Sequence, residues 1–97
     1  MSPLNKRKLN KVRQKLDKVD DRLIKLIKIR TNLVKQVLKL KEHKNEIVDK
    51  KRINKILKKI RIKSVKERID PKITNRIWKN MIWSYIDFER RNFKKKK

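Results

Sequence analysis

The sequence predicts an all-α chain of three helices, one of them very long, that forms an intertwined helical homodimer. Gly is absent from the 97 residues, and Pro occurs only at positions 3 and 71. Each Pro precedes a long stretch free of both residues, as suits the first turn of a helix. Apolar residues recur at spacings of three and four, and strand-like alternation is absent. The predicted fold is therefore one helical domain over residues 1–97.

The first helix is predicted from about Pro3 to about Lys41, with Ser2 as its N-cap. Its apolar seam follows a heptad-like spacing: Leu9, Val12, Leu16, Val19, Leu23, Leu26, Leu33, Val37 and Leu40. Such a helix would be roughly 55 Å long. A compact globule of this size is only roughly 30–35 Å across. The seam therefore needs a partner chain, and a second copy is the expected partner.

The remaining elements follow from polar breaks in this pattern. Residues 43–46 are predicted to be a polar loop, and His43 in it is expected to be solvated. The second helix is predicted over about 49–62, with Asp49 at its start, where a carboxylate suits the helix dipole.

The connection over 62–69, which could be partly helical, leads to Asp70-Pro71, a second N-cap followed by a first helical position. A third helix is predicted over about 71–92, followed by a basic tail over 93–97. The third helix has apolar residues on two faces and is therefore expected to be sandwiched between neighbours.

The composition excludes several kinds of protein. Without Cys, disulfides, thiol nucleophiles and zinc ribbons are ruled out, and without Gly so are phosphate-binding loops. The sequence shows no membrane span and no signal peptide, so a cytoplasmic protein is expected. The chain has 34 Lys and Arg against 10 Asp and Glu, a net charge of +24. This charge suggests a nucleic-acid partner, but compositional drift toward Lys in an AT-rich coding sequence explains it equally well.

A few charges stand where a core is expected. Arg30 occupies a heptad core position, and a buried guanidinium is costly unless it is paired. Lys41 lies almost three turns later on the same face. Other charged residues flank apolar positions: Arg13, Asp49, Arg52 and Glu89. Several cations and a carboxylate directed between helices predict a site for a small dicarboxylate, without a metal or a covalent nucleophile.

These residues resemble those of a known family. The stretches Leu9–Asp20 and Leu23–Arg30, followed by Lys41, are similar to the first helix of the all-α chorismate mutases. Val48-Asp49-Lys-Lys-Arg52 is similar to the family's D-x-x-R on the second helix. The third-helix pattern is matched by Ile69-Asp70-Pro71, Ile77-Trp78-Lys-Asn-Met-Ile82 and Glu89. The resemblance covers residues 4 to about 91.

The resemblance implies an intertwined homodimer with two active sites that rearranges chorismate to prephenate, in Phe and Tyr biosynthesis, without a cofactor. By the same resemblance, Arg13 would come from the partner chain and bind a substrate carboxylate. Arg30 would bind a carboxylate within its own subunit. Lys41 would contact a carboxylate and the ether oxygen whose bond to carbon breaks.

The resemblance also assigns roles to the second and third helices. Asp49 would hold the region of the ring hydroxyl, Arg52 would support the carboxylate network, and Glu89 would face the ether oxygen. The sequence departs from the family in two places. Ile53 replaces the usual Glu after D-x-x-R, which leaves hydroxyl recognition mainly to Asp49. Tyr85 replaces a small hydroxyl residue that some members have, and is expected to line the site.

Other interpretations remain open at this point. An isochorismate pyruvate-lyase could share the scaffold and the anion site. A basic helical nucleic-acid-binding protein would explain the charge, but few aromatic side chains are available for base stacking, and no specific nucleic acid is expected. A coiled-coil interaction module would leave Arg30 in the core seam unexplained.

Overall fold

The computed structural model describes residues 1–94. It contains three α-helices, which we label α1 (Pro3–Leu40), α2 (Lys50–Lys66) and α3 (Pro71–Asn92). A short 3-10 helix, Lys44–Glu46, lies between α1 and α2. No strand occurs within the described residues. The predicted all-α class with three helices is confirmed.

The start of each α-helix is stabilised by a side-chain cap. The Ser2 hydroxyl accepts a hydrogen bond from the Asn5 backbone N–H (3.2 Å). Asp49 accepts from the Arg52 backbone N–H (3.0 Å), and Asp70 accepts from that of Lys72 (2.9 Å). Such caps satisfy backbone donors that the first helical turn leaves unpaired. The predicted caps at Ser2 and Asp70 are thus confirmed.

The chain divides into two units, of which the first is Met1–Leu33. This unit consists mainly of the N-terminal part of α1, a helix in which no residue is buried. The apolar seam is open to solvent, with Leu16 at 55% exposure. No helix among residues 1–94 is long and apolar enough to cross a membrane, and the cytoplasmic location stays a prediction.

The second unit begins at Val34 and contains α2 packed against α3. Its core is small and consists of Ile47, Ile82 and Ile86. A hydrogen bond between the hydroxyls of Ser64 and Thr74 (2.7 Å) joins the two helices. The expectation that α3 is sandwiched on both sides is not met within one chain, because three of its other apolar side chains are about half exposed: Ile73, Ile77 and Trp83.

The predicted boundaries differ from the structure in three places. The polar loop contains the 3-10 turn Lys44–Glu46, in which the Glu46 carboxylate accepts from the His43 N–H (3.2 Å). The second helix continues to Lys66. The predicted basic tail begins with Phe93, which packs against the core of the second unit; residues 95–97 lie outside the described part of the chain.

The end of α2 adopts a conformation that normally favours glycine. Arg68 has φ = 58°, in the left-handed region. The Ile69 N–H donates to the Ser64 carbonyl (2.8 Å), and the Arg68 N–H donates to that of Val65 (3.1 Å). These two bonds form a Schellman motif, in which the left-handed residue is usually Gly. A non-glycine side chain in this region crowds the following carbonyl group.

We therefore expect Arg68→Gly to stabilise the fold. Relief of the left-handed backbone should outweigh the added freedom of the unfolded chain, for a net gain of about 0.5–1 kcal/mol. The control is Arg61→Gly, in the interior of α2, which should destabilise by about 1 kcal/mol. Urea denaturation followed by circular dichroism measures both. A loss of stability in Arg68→Gly would contradict this account of the helix end.

Candidate active site

The candidate site centres on Lys41, the residue after the end of α1. The Lys41 N–H donates to the Leu38 carbonyl (3.2 Å), which closes the last turn of the helix. The Lys41 ammonium donates to Oε1 of Glu89 at 3.0 Å, forming an ion pair between residues 48 positions apart. The Lys41 side chain is only 17% exposed. The structure therefore brings together two of the three residues predicted to be catalytic.

Glu89 lies at the edge of the core of the second unit. It follows Ile82 and Ile86 by seven and three residues, and these spacings place all three on one face of α3. Glu89 is 5% exposed. A buried carboxylate is costly unless a cation or hydrogen-bond donor accompanies it, and Lys41 supplies both. The pair thus holds a positive and a negative group in a largely dry position.

Asp49 and Lys41 line the same shallow depression. Its volume is about 560 Å³, within the range of small-molecule sites. Six of the seven residues that line it are polar or charged: Lys41, Asn45, Glu46, Val48, Asp49, Lys50 and Lys51. Asn45, Glu46, Lys50 and Lys51 had not been predicted as site residues, and their proximity to Asp49 in the sequence was the only available signal.

Asp49 has a structural role as the cap of a helix. As the N-cap of α2 it binds the backbone of Arg52, and both residues are exposed. A carboxylate that caps a helix is held in a fixed position, and its other lone pairs are free to accept from a ligand.

Ile53 and Tyr85 differ in their surroundings. Ile53 is partly buried and packs against the core, so the position where the family usually has Glu serves as a packing position here. Tyr85 is partly buried and precedes Glu89 by one helical turn. Residues four apart lie on the same side of a helix. Tyr85 therefore stands on the side of α3 that carries Glu89.

Arg13 and Arg30 belong to the first unit, Met1–Leu33. Arg13 is exposed, and Arg30 is partly buried. Both lie within α1. The helix fixes their spacing, and each guanidinium offers paired donors with the geometry of a carboxylate.

The chemistry available at this site is electrostatic. Among residues 1–94, no group of three or more His, Asp or Glu side chains is arranged to hold a metal. The Lys41–Glu89 pair can bind an anionic oxygen and, when Glu89 is protonated, can donate a second hydrogen bond. An arrangement of this kind stabilises developing negative charge.

Comparison with known proteins identifies the family. The family model described as chorismate mutase type II matches residues 12–90. No match was found among curated proteins or among solved structures. The matched range covers most of the chain. It contains all seven candidate residues: Arg13, Arg30, Lys41, Asp49, Arg52, Tyr85 and Glu89. The chain therefore belongs to the chorismate mutase type II family of isomerases.

Proposed function

We propose that the chain converts chorismate to prephenate at a site centred on Lys41 and Glu89. The observation that carries the proposal is the 3.0 Å contact between these side chains, in a chain whose family has this substrate. Arg30 is proposed to bind a substrate carboxylate. Arg52 and Tyr85 are proposed to complete the lining on the second and third helices.

The reaction explains why such a site needs no covalent catalyst. A C–O bond breaks while a C–C bond forms, and negative charge grows on the ether oxygen. A cation and a hydrogen-bond donor at that oxygen stabilise the transition state more than the substrate. Each ~1.4 kcal/mol of this preference accelerates the reaction tenfold. Fixing both carboxylates also holds the enolpyruvyl arm over the ring, which contributes an orientation effect.

The proposed active form is a homodimer. In the single chain the seam of α1 is exposed along most of its length, as at Val12, Leu23 and Val37. A large contiguous apolar surface on a protein usually marks a site of interaction with another molecule. A second copy would cover the seam and is proposed to supply Arg13 to the site. Sedimentation equilibrium should give twice the 12.0 kDa of the chain, and a monomer at micromolar concentration would contradict this arrangement.

The ion pair implies that substrate binding changes the partner of Lys41. Glu89 neutralises Lys41 in the free chain. An ionised Glu89 would face the growing charge on the ether oxygen and repel it. A protonated Glu89 would instead donate to that oxygen. We therefore propose that Glu89 acts as a neutral acid in the substrate complex.

This role predicts the effect of a permanent donor at position 89. In Glu89→Gln the amide donates to the ether oxygen without needing a proton, so kcat at neutral pH should be kept or raised. The control is Asp87→Asn, two residues earlier and exposed, which should keep the parent kcat. A fall in kcat of about tenfold or more in Glu89→Gln alone would contradict the neutral-acid role.

The direct test supplies the purified chain with chorismate and follows its loss together with the formation of prephenate. Catalytic conversion is expected, with the product identified by its acid-catalysed change to an aromatic keto acid. Isochorismate is the second substrate in the test. Release of pyruvate from it, without prephenate from chorismate, would assign lyase activity instead and would overturn the proposal.

A further inference from the structure

The charge of α2 is entirely of one sign. This 17-residue helix contains nine cationic residues, and all ten acidic residues of the chain lie outside it. Every one of the nine is exposed: Lys50, Lys51, Arg52, Lys55, Lys58, Lys59, Arg61, Lys63 and Lys66. The acids nearest in sequence are its two caps, Asp49 and Glu67. Compositional drift toward Lys raises the charge everywhere, but α2 exceeds the rest of the chain, with nine cations in 17 residues against 25 in the other 80.

The side of α2 turned away from its core contacts carries the densest part of this charge. Lys51, Lys55 and Lys59 follow one another at spacings of four, and Lys66 continues the row after Ile62. We call Lys51, Lys55, Lys58, Lys59 and Lys66 the basic face of α2. Like charges four residues apart on a helix repel each other and destabilise it. A polyanion on this face would relieve that repulsion.

The positive surface continues beyond the basic face. Lys58 and Arg61 of α2 line one groove together with residues at the start of α3: Pro71, Lys72 and Asn75. Both helices belong to the second unit. Cations from two helices therefore border a common concave surface, which a curved chain of phosphates could follow.

The charge spacing indicates the kind of partner. Nine cations over a helix of about 25 Å give about one charge per 3 Å. Duplex nucleic acid carries about one negative charge per 1.7 Å of its axis. Helices that bind membrane surfaces present a broad apolar face for insertion, whereas Ile53, Ile56 and Leu57 of α2 pack against the core of this chain.

From these observations we infer that the basic face of α2 binds the phosphate backbone of double-stranded nucleic acid without sequence preference. Aromatic side chains are absent from α2, so bases are not read by stacking. Within the basic face only Lys51 also lines the depression beside Lys41 and Asp49. The other four lysines lie outside the proposed catalytic site. This binding is therefore an additional property of the chain, separable from chorismate turnover.

The test compares two triple variants of equal net charge. Lys55→Gln, Lys59→Gln and Lys66→Gln remove three cations from the basic face. The control changes Lys11, Lys18 and Lys25 to Gln, three exposed residues of α1 at seven-residue spacing and opposite the apolar seam. Binding of the full chain to a 20-base-pair duplex of random sequence is followed by fluorescence anisotropy over a range of NaCl concentrations.

The parent should bind the duplex with an affinity that falls steeply with salt. In the α2 variant the slope of log K against log salt should decrease by about 2–3, because three phosphate contacts are lost. The α1 control should keep the parent slope, and both variants should retain chorismate turnover. Equal loss in both variants would show a net-charge effect only. Stronger binding to vesicles of anionic lipid than to the duplex, or no duplex binding at about 0.1 M salt, would also overturn the inference.

Discussion

Replacing Arg30 with Ala is expected to lower kcat/KM for chorismate by about a thousandfold while leaving the dimer assembled. A bidentate guanidinium–carboxylate contact contains two charge-assisted hydrogen bonds, each worth about 1.5–3 kcal/mol. Their loss weakens substrate binding and removes the restraint on the enolpyruvyl arm. Initial rates of chorismate consumption, together with sedimentation of the same sample, measure both effects.

Arg22→Ala is the matched control for this experiment. Arg22 is an exposed Arg of α1 that the proposed site does not use, and its removal changes the net charge by the same amount. The control should keep parent activity, so that long-range steering by the overall charge is separated from direct binding. Full activity in Arg30→Ala would show that the site is placed wrongly along α1.

The second large effect is expected at Lys41. In Lys41→Gln, kcat should fall by about a hundredfold to a thousandfold, because a charged donor at the ether oxygen is lost. The Gln amide can still donate to Glu89, so the buried carboxylate keeps a partner and the fold should survive. Lys39→Gln, an exposed position on the last turn of α1, provides the control.

An intact thermal transition in Lys41→Gln would confirm that the lost activity is chemical in origin. If kcat stays within about threefold of the parent value, Lys41 does not contribute to catalysis. A threefold change corresponds to less than about 0.7 kcal/mol of transition-state stabilisation. The Lys41–Glu89 contact would then be a structural ion pair only.

The helices could be predicted because their signals are local. The caps at Ser2 and Asp70, and the spacing of the apolar residues, depend on neighbours within one or two turns. The connection over 62–69 was expected to be partly helical at most, and the end of α2 at Lys66 could not be placed because it is set by the left-handed Arg68. Glycine usually marks such a helix end, and this chain has none.

The candidate site could be predicted only in part. Lys41 and Glu89 were singled out from the sequence, but their pairing depends on how the end of α1 meets the end of α3, across 48 residues. The burial of Ile47 and Ile86 likewise arises from tertiary packing. The roles of Arg13 and Arg30 stay predictions. Arg13 is proposed to act in the site of a second chain, and Arg30 is proposed to bind a substrate carboxylate within its own subunit.

The α1 seam links the fold to the proposed mechanism. Residues 1–94 contain three buried apolar residues, a small core for a domain of this length. The exposed seam is where further burial would come from. If the second copy covers it, assembly and completion of the active site become one event, and the isolated chain should be inactive.

Subunit mixing tests this shared site most directly. Arg13→Ala and Arg30→Ala are each expected to inactivate both sites of a homodimer. A mixed dimer would carry both defects in one site and none in the other. Co-expression of the two chains, with random pairing, should therefore restore about one quarter of parental chorismate turnover. No recovery in purified mixed dimers would contradict the proposal that each active site is built from two copies of the chain.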